Sequence, residues 1–148
     1  MTPAETEEPE PQRHTGYLIR RAQQAHVAAW TRLVSTEITS VQYSILVTLE
    51  RLGEASQRVL CDEIDLDRST IATLVARMER KGLIERRRAV DDARRNTVTL
   101  TPLGLEERHR LRPLVNEMDA ALTGMLTAVE RDQLRQALGR ILRDQPVS

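Results

Sequence analysis

The segment from Asp67 to Thr101 constrains the fold most, because it joins a capped amphipathic helix, a glycine turn and a basic hairpin. Four apolar residues recur at the spacing i, i+3, i+4 and i+7, which puts them on one buried helix stripe: Ile71, Leu74, Val75 and Met78. Asp67 can accept a hydrogen bond at the start of this helix, and Gly82 suits a left-handed residue at its end. The other face is polar and carries Ser69, Thr70, Thr73, Arg77 and Arg80.

After Gly82 the chain predicts two hairpin strands, the first starting at Leu83 and the second carrying Val98 and Leu100 between threonines. From Arg68 to Arg95 there are nine basic and four acidic residues, a local charge of about +5 on a chain with no net charge. This concentration of positive charge indicates phosphate binding. Taken alone, each element could instead be a solvated helix face or a sheet edge protected by charge.

This segment resembles the winged helix-turn-helix of the MarR family of bacterial transcriptional regulators. LDRSTIATLVARMERKGLIER is similar to the family's recognition helix and its turn into the wing. DDARRNTVTLTPLG is similar to the wing signature of aspartate, any residue and arginine, then a strand ending in Leu-Thr and a helix-opening glycine. The resemblance runs from about Tyr17 to about Leu142 and implies a mainly α fold with a small β-wing, in which a winged helix-turn-helix joins a helical dimerisation region.

The resemblance also implies which residues contact double-stranded DNA. On the recognition helix, the positions that read the major groove and its flanking phosphates are Arg68, Ser69, Thr70, Thr73 and Arg77. In the wing, Arg94 is expected to enter the minor groove, and Asp92 is the carboxylate that orients it. Ala93 stands where the family commonly has glycine or arginine, and Arg95 follows, so Arg95 is the alternative to Arg94.

Cap and composition signals divide the chain into four regions: an acidic tail over 1–14, a first helix over 15–38, the winged helix-turn-helix over 39–101 and C-terminal helices over 102–148. The tail is expected to be disordered because it is rich in glutamate and nearly devoid of apolar residues. Six helices are predicted in all. The spacing of Thr39 to Gln42 and of Thr127 to Glu130 predicts capping boxes, and Pro102 suits a first helical position.

The last two predicted helices carry an apolar stripe that something must cover. In the fifth helix it comprises Leu111, Leu114, Val115, Met118, Leu122, Met125 and Leu126, and in the sixth Leu134, Leu138, Ile141 and Leu142. The resemblance implies that the first, fifth and sixth helices of two protomers interlock, giving a homodimer whose recognition helices lie one DNA turn apart. An intramolecular core built from the same leucines is the alternative.

The first helix contains a candidate effector site made of Arg20, His26 and Trp30. An arginine can clamp a carboxylate, a histidine can donate to a carboxylate or phenol, and an indole can wall an aromatic ring. The combination resembles the aromatic-acid-responsive branch of the family. It predicts a phenolic or aromatic carboxylate, or its coenzyme A thioester, as the effector that releases DNA, with repression as the commoner regulatory outcome in the family. The alternative is a solvated Arg20 beside an interface His26 and a core Trp30.

Other features limit the function classes. The three histidines lack metal-ligand spacing, and no nucleophile elbow or phosphate-binding glycine loop is present, so neither an enzyme nor a cofactor is expected. The single Cys61 cannot form an internal disulfide and is interpreted as a core filler, with redox sensing as the alternative. A helical adaptor that binds another protein is a second alternative. No apolar run approaches bilayer length and no secretory signal is evident, so a cytoplasmic location is expected.

Overall fold

Six helices and three strands follow one another in the computed structural model, which describes residues 9–89 and 92–145 and leaves the side chains of residues 88–96 undescribed. The elements are α1 (Thr15–Leu33), α2 (Ser40–Leu52), β1 (Glu54–Ser56), α3 (Gln57–Ile64), α4 (Arg68–Arg80), β2 (Ile84–Ala89), β3 (Asp92–Leu100), α5 (Pro102–Leu122) and α6 (Ala128–Arg143). Of the predicted acidic tail, residues 1–8 lie outside the described part. Residues 10–13 form a turn before α1.

Side-chain caps set the starts of all helices after α1. Both predicted capping boxes are confirmed. The Thr39 hydroxyl accepts from the Gln42 amide at 3.2 Å while the Gln42 side chain accepts from the Thr39 amide at 3.1 Å, and Thr127 and Glu130 repeat the arrangement. Asp67 caps α4, and Gly82 follows its end with a φ of 75°. These helices therefore begin and end at the residues that their chemistry predicted.

The sheet contains one strand more than the sequence predicted. The hairpin of β2 and β3 is confirmed as an antiparallel pair, but β1 pairs antiparallel with the other edge of β3, so the strand order is β1-β3-β2. Ala55 lies opposite Val98, and both are buried. The prediction missed β1 because a segment of three residues is too short to show an alternating pattern, and it is a strand only through its pairing with a distant one.

The core lies where α2, α3, α4, the sheet and α5 meet. Ile71, Val75 and Met78 of α4 are fully buried, as the helical spacing predicted, whereas Leu74 is only half-buried. Their neighbours in the core are mostly aliphatic: Ile45, Leu46, Leu49, Leu60, Ile84, Val98 and Leu111. Packing against this group holds α4 and the hairpin in one rigid arrangement.

The C-terminal helices bury much less of their apolar stripe. In α5, Leu111 and Met118 are buried, but α6 has no buried residue at all. Its apolar side chains and Met125 before it keep 39% to 77% of their surface exposed: Met125, Val129, Leu134, Leu138, Ile141 and Leu142. Packing within the described chain therefore does not cover this stripe. No helix in the described part of the chain is long and apolar enough to cross a membrane.

Gly104 marks the closest backbone contact between α5 and the hairpin. A Cβ at this position would lie 2.0 Å from the carbonyl oxygen of Leu83, which itself accepts a hydrogen bond from the Thr101 amide at 3.1 Å. We expect Gly104→Ala to lower the free energy of unfolding by about 1–3 kcal/mol, because the backbone must move to admit the methyl group. Urea unfolding at matched protein concentration measures this change.

Gly16→Ala is the matched control, since a Cβ at Gly16 meets nothing within 4 Å. In helix α1 this change should leave stability unaltered or raise it by up to about 1 kcal/mol. Equal unfolding curves for the two variants would show that the close contact at Gly104 does not matter.

Candidate nucleic-acid interface and neighbouring cavities

The outer face of α4 presents a row of polar and basic side chains. Because Ile71, Val75 and Met78 are buried on one side of α4, the residues on its opposite side point away from the core. Arg68, Ser69, Thr73 and Arg77 are all exposed, so the structure brings these four predicted contacts together on one face. Thr70 differs, because it is half-buried and lines a cavity behind the helix.

Hydrogen bonds organise the start of this face. The Asp67 carboxylate accepts from the Thr70 amide at 2.7 Å and from the Ser69 hydroxyl at 2.9 Å. These bonds, chiefly the one from the Thr70 amide, hold the pKa of Asp67 below its ordinary value. The Thr73 hydroxyl donates to the Ser69 carbonyl at 3.0 Å. Both hydroxyls therefore use their protons within the helix and have lone pairs left to accept from a base or water.

The arginines of this region fall into two groups. Arg86 makes two hydrogen bonds to the Glu79 carboxylate, at 3.2 and 3.0 Å, which tie β2 to α4 and lower the pKa of Glu79. Arg68, Arg77 and Arg80 have no ion pair among the described residues and are exposed. The sequence counted all of these as phosphate-binding charges. The structure pairs Arg86 within the protein, and among the arginines whose side chains are described the three on α4 are free to meet an anion.

The predicted wing contacts fall where side chains are not described. Asp92, Arg94 and Arg95 belong to β3, and the backbone pairing of β2 with β3 runs as far as Ala89 opposite Asp92. Their side chains lie outside the described part of the structure. The choice between Arg94 and Arg95 in the minor groove therefore stays a prediction.

A cavity of about 530 Å³ lies between α1, α2 and α5, and we call it the α1–α5 cavity. His26 and Trp30 line it, with an edge-to-face contact between their rings at 6.3 Å. The other lining residues are Ser40, Val41, Tyr43, Ser44, Ile64, Leu66, Val115, Asn116, Met118 and Asp119. The cavity thus combines aromatic walls with a histidine, an amide and a carboxylate, a composition typical of small-molecule sites.

Arg20, the third predicted effector residue, does not line this cavity. Its side chain is exposed, and its guanidinium carbon lies 5.3 Å from the centre of the Tyr17 ring. The structure therefore brings His26 and Trp30 together and leaves Arg20 outside the α1–α5 cavity. Arg20 precedes His26 by six positions along α1.

Tyr43 was not predicted as a site residue, although it is one of only two tyrosines in the chain. Its ring lies 5.6 Å from that of Trp30, and its hydroxyl accepts from Arg108 of α5 at 2.8 Å. Arg108 is itself ion-paired to Glu50 at 3.0 Å. Tyr43 is thereby held in place as the second aromatic wall. Asp119, also missed, is ion-paired to Arg135 of α6 at 2.9 Å.

Cys61 of α3 is half-buried and packs against the core. Its surroundings match the core-filling interpretation, and its redox role stays an untested alternative.

Comparisons with known proteins agree on one family. The model described as "MarR family" matches residues 38–95. A putative transcriptional regulatory protein for the hcr operon of Thauera aromatica is 32% identical over 130 residues, which cover 86% of this chain and 78% of that protein. The relatives found are transcriptional regulators, so this chain is not an enzyme.

Two solved structures are close to this one. The PcaV transcriptional regulator from Streptomyces coelicolor, in complex with its natural ligand, has a TM-score of 0.87 and 35% identity over 93% of this chain and 97% of that one. BpsR from Bordetella bronchiseptica, whose DNA binding is regulated by 6-hydroxynicotinic acid, has a TM-score of 0.80 and 26% identity over 85% and 96%.

The Asp67 cap predicts a pH dependence of stability. A carboxyl group whose pKa is lowered on folding stabilises the protein above its unfolded pKa, near 3.8, and loses that effect as pH falls through the folded value. The difference in urea midpoint between wild type and Asp67→Ala should therefore be constant near neutral pH and shrink below about pH 4. Asp62→Ala, at an exposed position within α3, is the control. A difference that persists unchanged in acid would contradict the role of the carboxylate.

Proposed function

The chain is a transcriptional regulator of the MarR family, and we propose that it represses its target genes by binding a pseudo-palindromic operator as a homodimer. We infer that a small phenolic or aromatic carboxylate, or the acyl group of its coenzyme A thioester, binds in the α1–α5 cavity and releases the DNA. The observation that carries the DNA-binding part is the row of exposed arginines on α4 that have no ion pair with any described residue.

In this proposal α4 enters the major groove. Arg68 and Arg77 are exposed at opposite ends of its polar face, with Ser69 and Thr73 between them. An arginine can pair bidentately with guanine or phosphate, and the hydroxyls can accept from a base. The wing contributes Arg94 to the minor groove with Asp92 orienting it, and Arg95 as the alternative.

The uncovered face of α6 supports the homodimer. A row of exposed leucines and isoleucine on one helix is a surface that a monomer rarely leaves in water. A second copy of the same face would cover it by twofold symmetry. Members of the family bind DNA as dimers, and two recognition helices related in this way call for half-sites about 10 base pairs apart.

The lining of the α1–α5 cavity supports an aromatic acid that carries a hydroxyl group. A volume of about 530 Å³ is ample for a single substituted ring packed against the contacting pair Trp30 and Tyr43. His26 can donate to the carboxylate. Asp119 would repel that carboxylate but can accept from a phenol, and its pairing with Arg135 offsets part of its charge. BpsR, regulated by 6-hydroxynicotinic acid, offers a hydroxylated ring acid as a precedent.

For Arg20 to act as the proposed carboxylate clamp, its side chain must leave the Tyr17 ring and reach the α1–α5 cavity, which it does not line in this structure. A cation–π contact at an exposed site stabilises by about 0.5–1 kcal/mol. A charge-assisted hydrogen bond to a carboxylate contributes about 1.5–3 kcal/mol, so the exchange is favourable. Release then follows because the ligand binds more tightly to a dimer whose recognition helices no longer match the operator.

The operator-binding proposal predicts different effects for the helix and the wing. Arg77→Ala should reduce the preference for the operator over unrelated duplex by about 1–3 kcal/mol, whereas Arg94→Ala should weaken binding to both and flatten its salt dependence. Fluorescence anisotropy at several salt concentrations measures both effects, and sedimentation should show two chains per duplex. Arg32→Ala, which removes one charge from α1, is the control. If both variants lost the same affinity for the operator and for unrelated duplex, the proposal that Arg77 reads bases while Arg94 positions the protein on the backbone would be contradicted.

The effector proposal predicts that His26→Ala raises the ligand concentration for half-maximal release about tenfold or more, because a charge-assisted hydrogen bond is lost. Operator affinity without ligand should be unchanged. The probes are 4-hydroxybenzoate and benzoate, and the hydroxylated acid should act at the lower concentration because of Asp119. His14→Ala, in front of α1, is the control. If the His26→Ala protein releases operator DNA at the same acid concentration as wild type, the cavity has no part in the mechanism. If the Arg20→Ala protein releases DNA normally, Arg20 does not bind the effector.

A further inference from the structure

A polar tie connects the end of the recognition helix to the wall of the α1–α5 cavity. We propose that Lys81 is a positioning residue that couples α4 to Trp30 through the backbone of residues 35–39. The role of this coupling in effector-driven DNA release rests on the proposed effector site. The hydrogen bonds that make the connection are those of the DNA-free chain and do not depend on that proposal.

Trp30 fixes one end of this connection. Its indole N–H donates to the Ile38 carbonyl at 2.7 Å, in a buried position. Within the segment that joins α1 to α2, the Ser35 hydroxyl oxygen accepts from the amides of Glu37 and Ile38 at 3.0 and 2.9 Å. Because these bonds cross-link the segment, a displacement of the indole must carry the carbonyls of Glu37 and Ile38 with it.

Lys81 fixes the other end. It is the only lysine of the chain and the residue at the C-terminus of α4, where its amide donates to the Arg77 carbonyl at 3.1 Å. Its side-chain ammonium donates to the carbonyl of Glu37, 44 positions earlier in the sequence. The ammonium of Lys81 thus ties the helix that carries Arg77 to the segment held by Trp30.

A second cavity separates part of the same segment from α4. About 380 Å³ of open space lies between the 35–39 segment and α4, with Thr36 and Thr39 on one side and Thr70 and Leu74 on the other. The side chains that face this gap do not transmit a displacement by close packing. Ile38 packs in the same core as α4, and the Lys81–Glu37 hydrogen bond joins the segment to α4 beside the cavity. Trp30 lines this cavity as well as the α1–α5 cavity, so a ligand in the latter touches the same indole.

Coupling between sites is reciprocal, so DNA binding to α4 must also change the environment of Trp30. Trp30 is the only tryptophan and is 5% exposed, so tryptophan emission, excited where tyrosine does not absorb, reports on this position alone. The experiment titrates the full-length protein with a duplex recovered by selection from a random library and records tryptophan emission. It needs no effector.

The variants are Lys81→Met, which keeps the aliphatic stem without the donor, Lys81→Arg, which keeps a donor, and Arg32→Met, which removes one exposed charge outside the proposed DNA-contacting face. Saturating duplex should shift the emission of wild type, Lys81→Arg and Arg32→Met. In Lys81→Met the shift should be largely lost, because the hydrogen bond that carries the displacement is absent. Thermal unfolding establishes that each variant is folded.

A full emission shift in duplex-bound Lys81→Met, or no shift in wild type, would overturn the coupling. A second arm measures the ratio of operator Kd with and without 4-hydroxybenzoate, which should fall toward one in Lys81→Met only. If neither 4-hydroxybenzoate nor benzoate releases DNA from the wild-type protein while the emission shift still depends on Lys81, the effector proposal fails and the coupling stands. A chain that binds no duplex would overturn both, since there would be no event to transmit.

Discussion

Burial of one edge of α4 is the interaction on which the DNA-facing surface depends. Ile71, Val75 and Met78 are completely enclosed. Burying a side chain of this size stabilises a fold by about 1.5–3 kcal/mol, so rotating the helix by even a quarter turn would cost several such contributions. The helix therefore has one orientation about its axis, and its arginines and hydroxyls face outward as a consequence. Buried Leu83 and Ile84 then return the chain to the same core after Gly82.

The ion pairs decide which positive charges are available to a polyanion. A basic residue that already has two hydrogen bonds to a carboxylate, as Arg86 has to Glu79, must break them before it can bind phosphate. An exposed pair of this kind contributes about 0–1 kcal/mol to stability, so its main effect is geometric: it sets where β2 leaves α4. Arg68 and Arg77 carry no such constraint within the described residues. Local net charge counts both kinds equally, although only the second kind is ready to bind.

Trp30 makes structural contacts beyond lining the α1–α5 cavity. Its ring packs on Tyr43, its N–H donates to the Ile38 carbonyl, and it lines both cavities. Tyr43 is in turn fixed by Arg108, whose own charge is paired with Glu50. Where such a network is partly buried, as at Tyr43 and Arg108, a lost partner leaves a donor or acceptor with less water to replace it. The aromatic pair is therefore a rigid wall on which a bound ring can act.

The sequence by itself determined the local structure: helix starts at Thr39, Asp67 and Thr127, the turn at Gly82, and the buried stripe of α4. These follow from hydrogen bonds and periodicity between residues a few positions apart, which are visible in a linear pattern. Only the tertiary structure decided that Glu54–Ser56 is a strand, that Arg86 pairs with Glu79, that Tyr43 and Asp119 line the cavity while Arg20 does not, and that Lys81 reaches Glu37. Each of these contacts joins residues on different elements, and their meeting depends on how the elements pack.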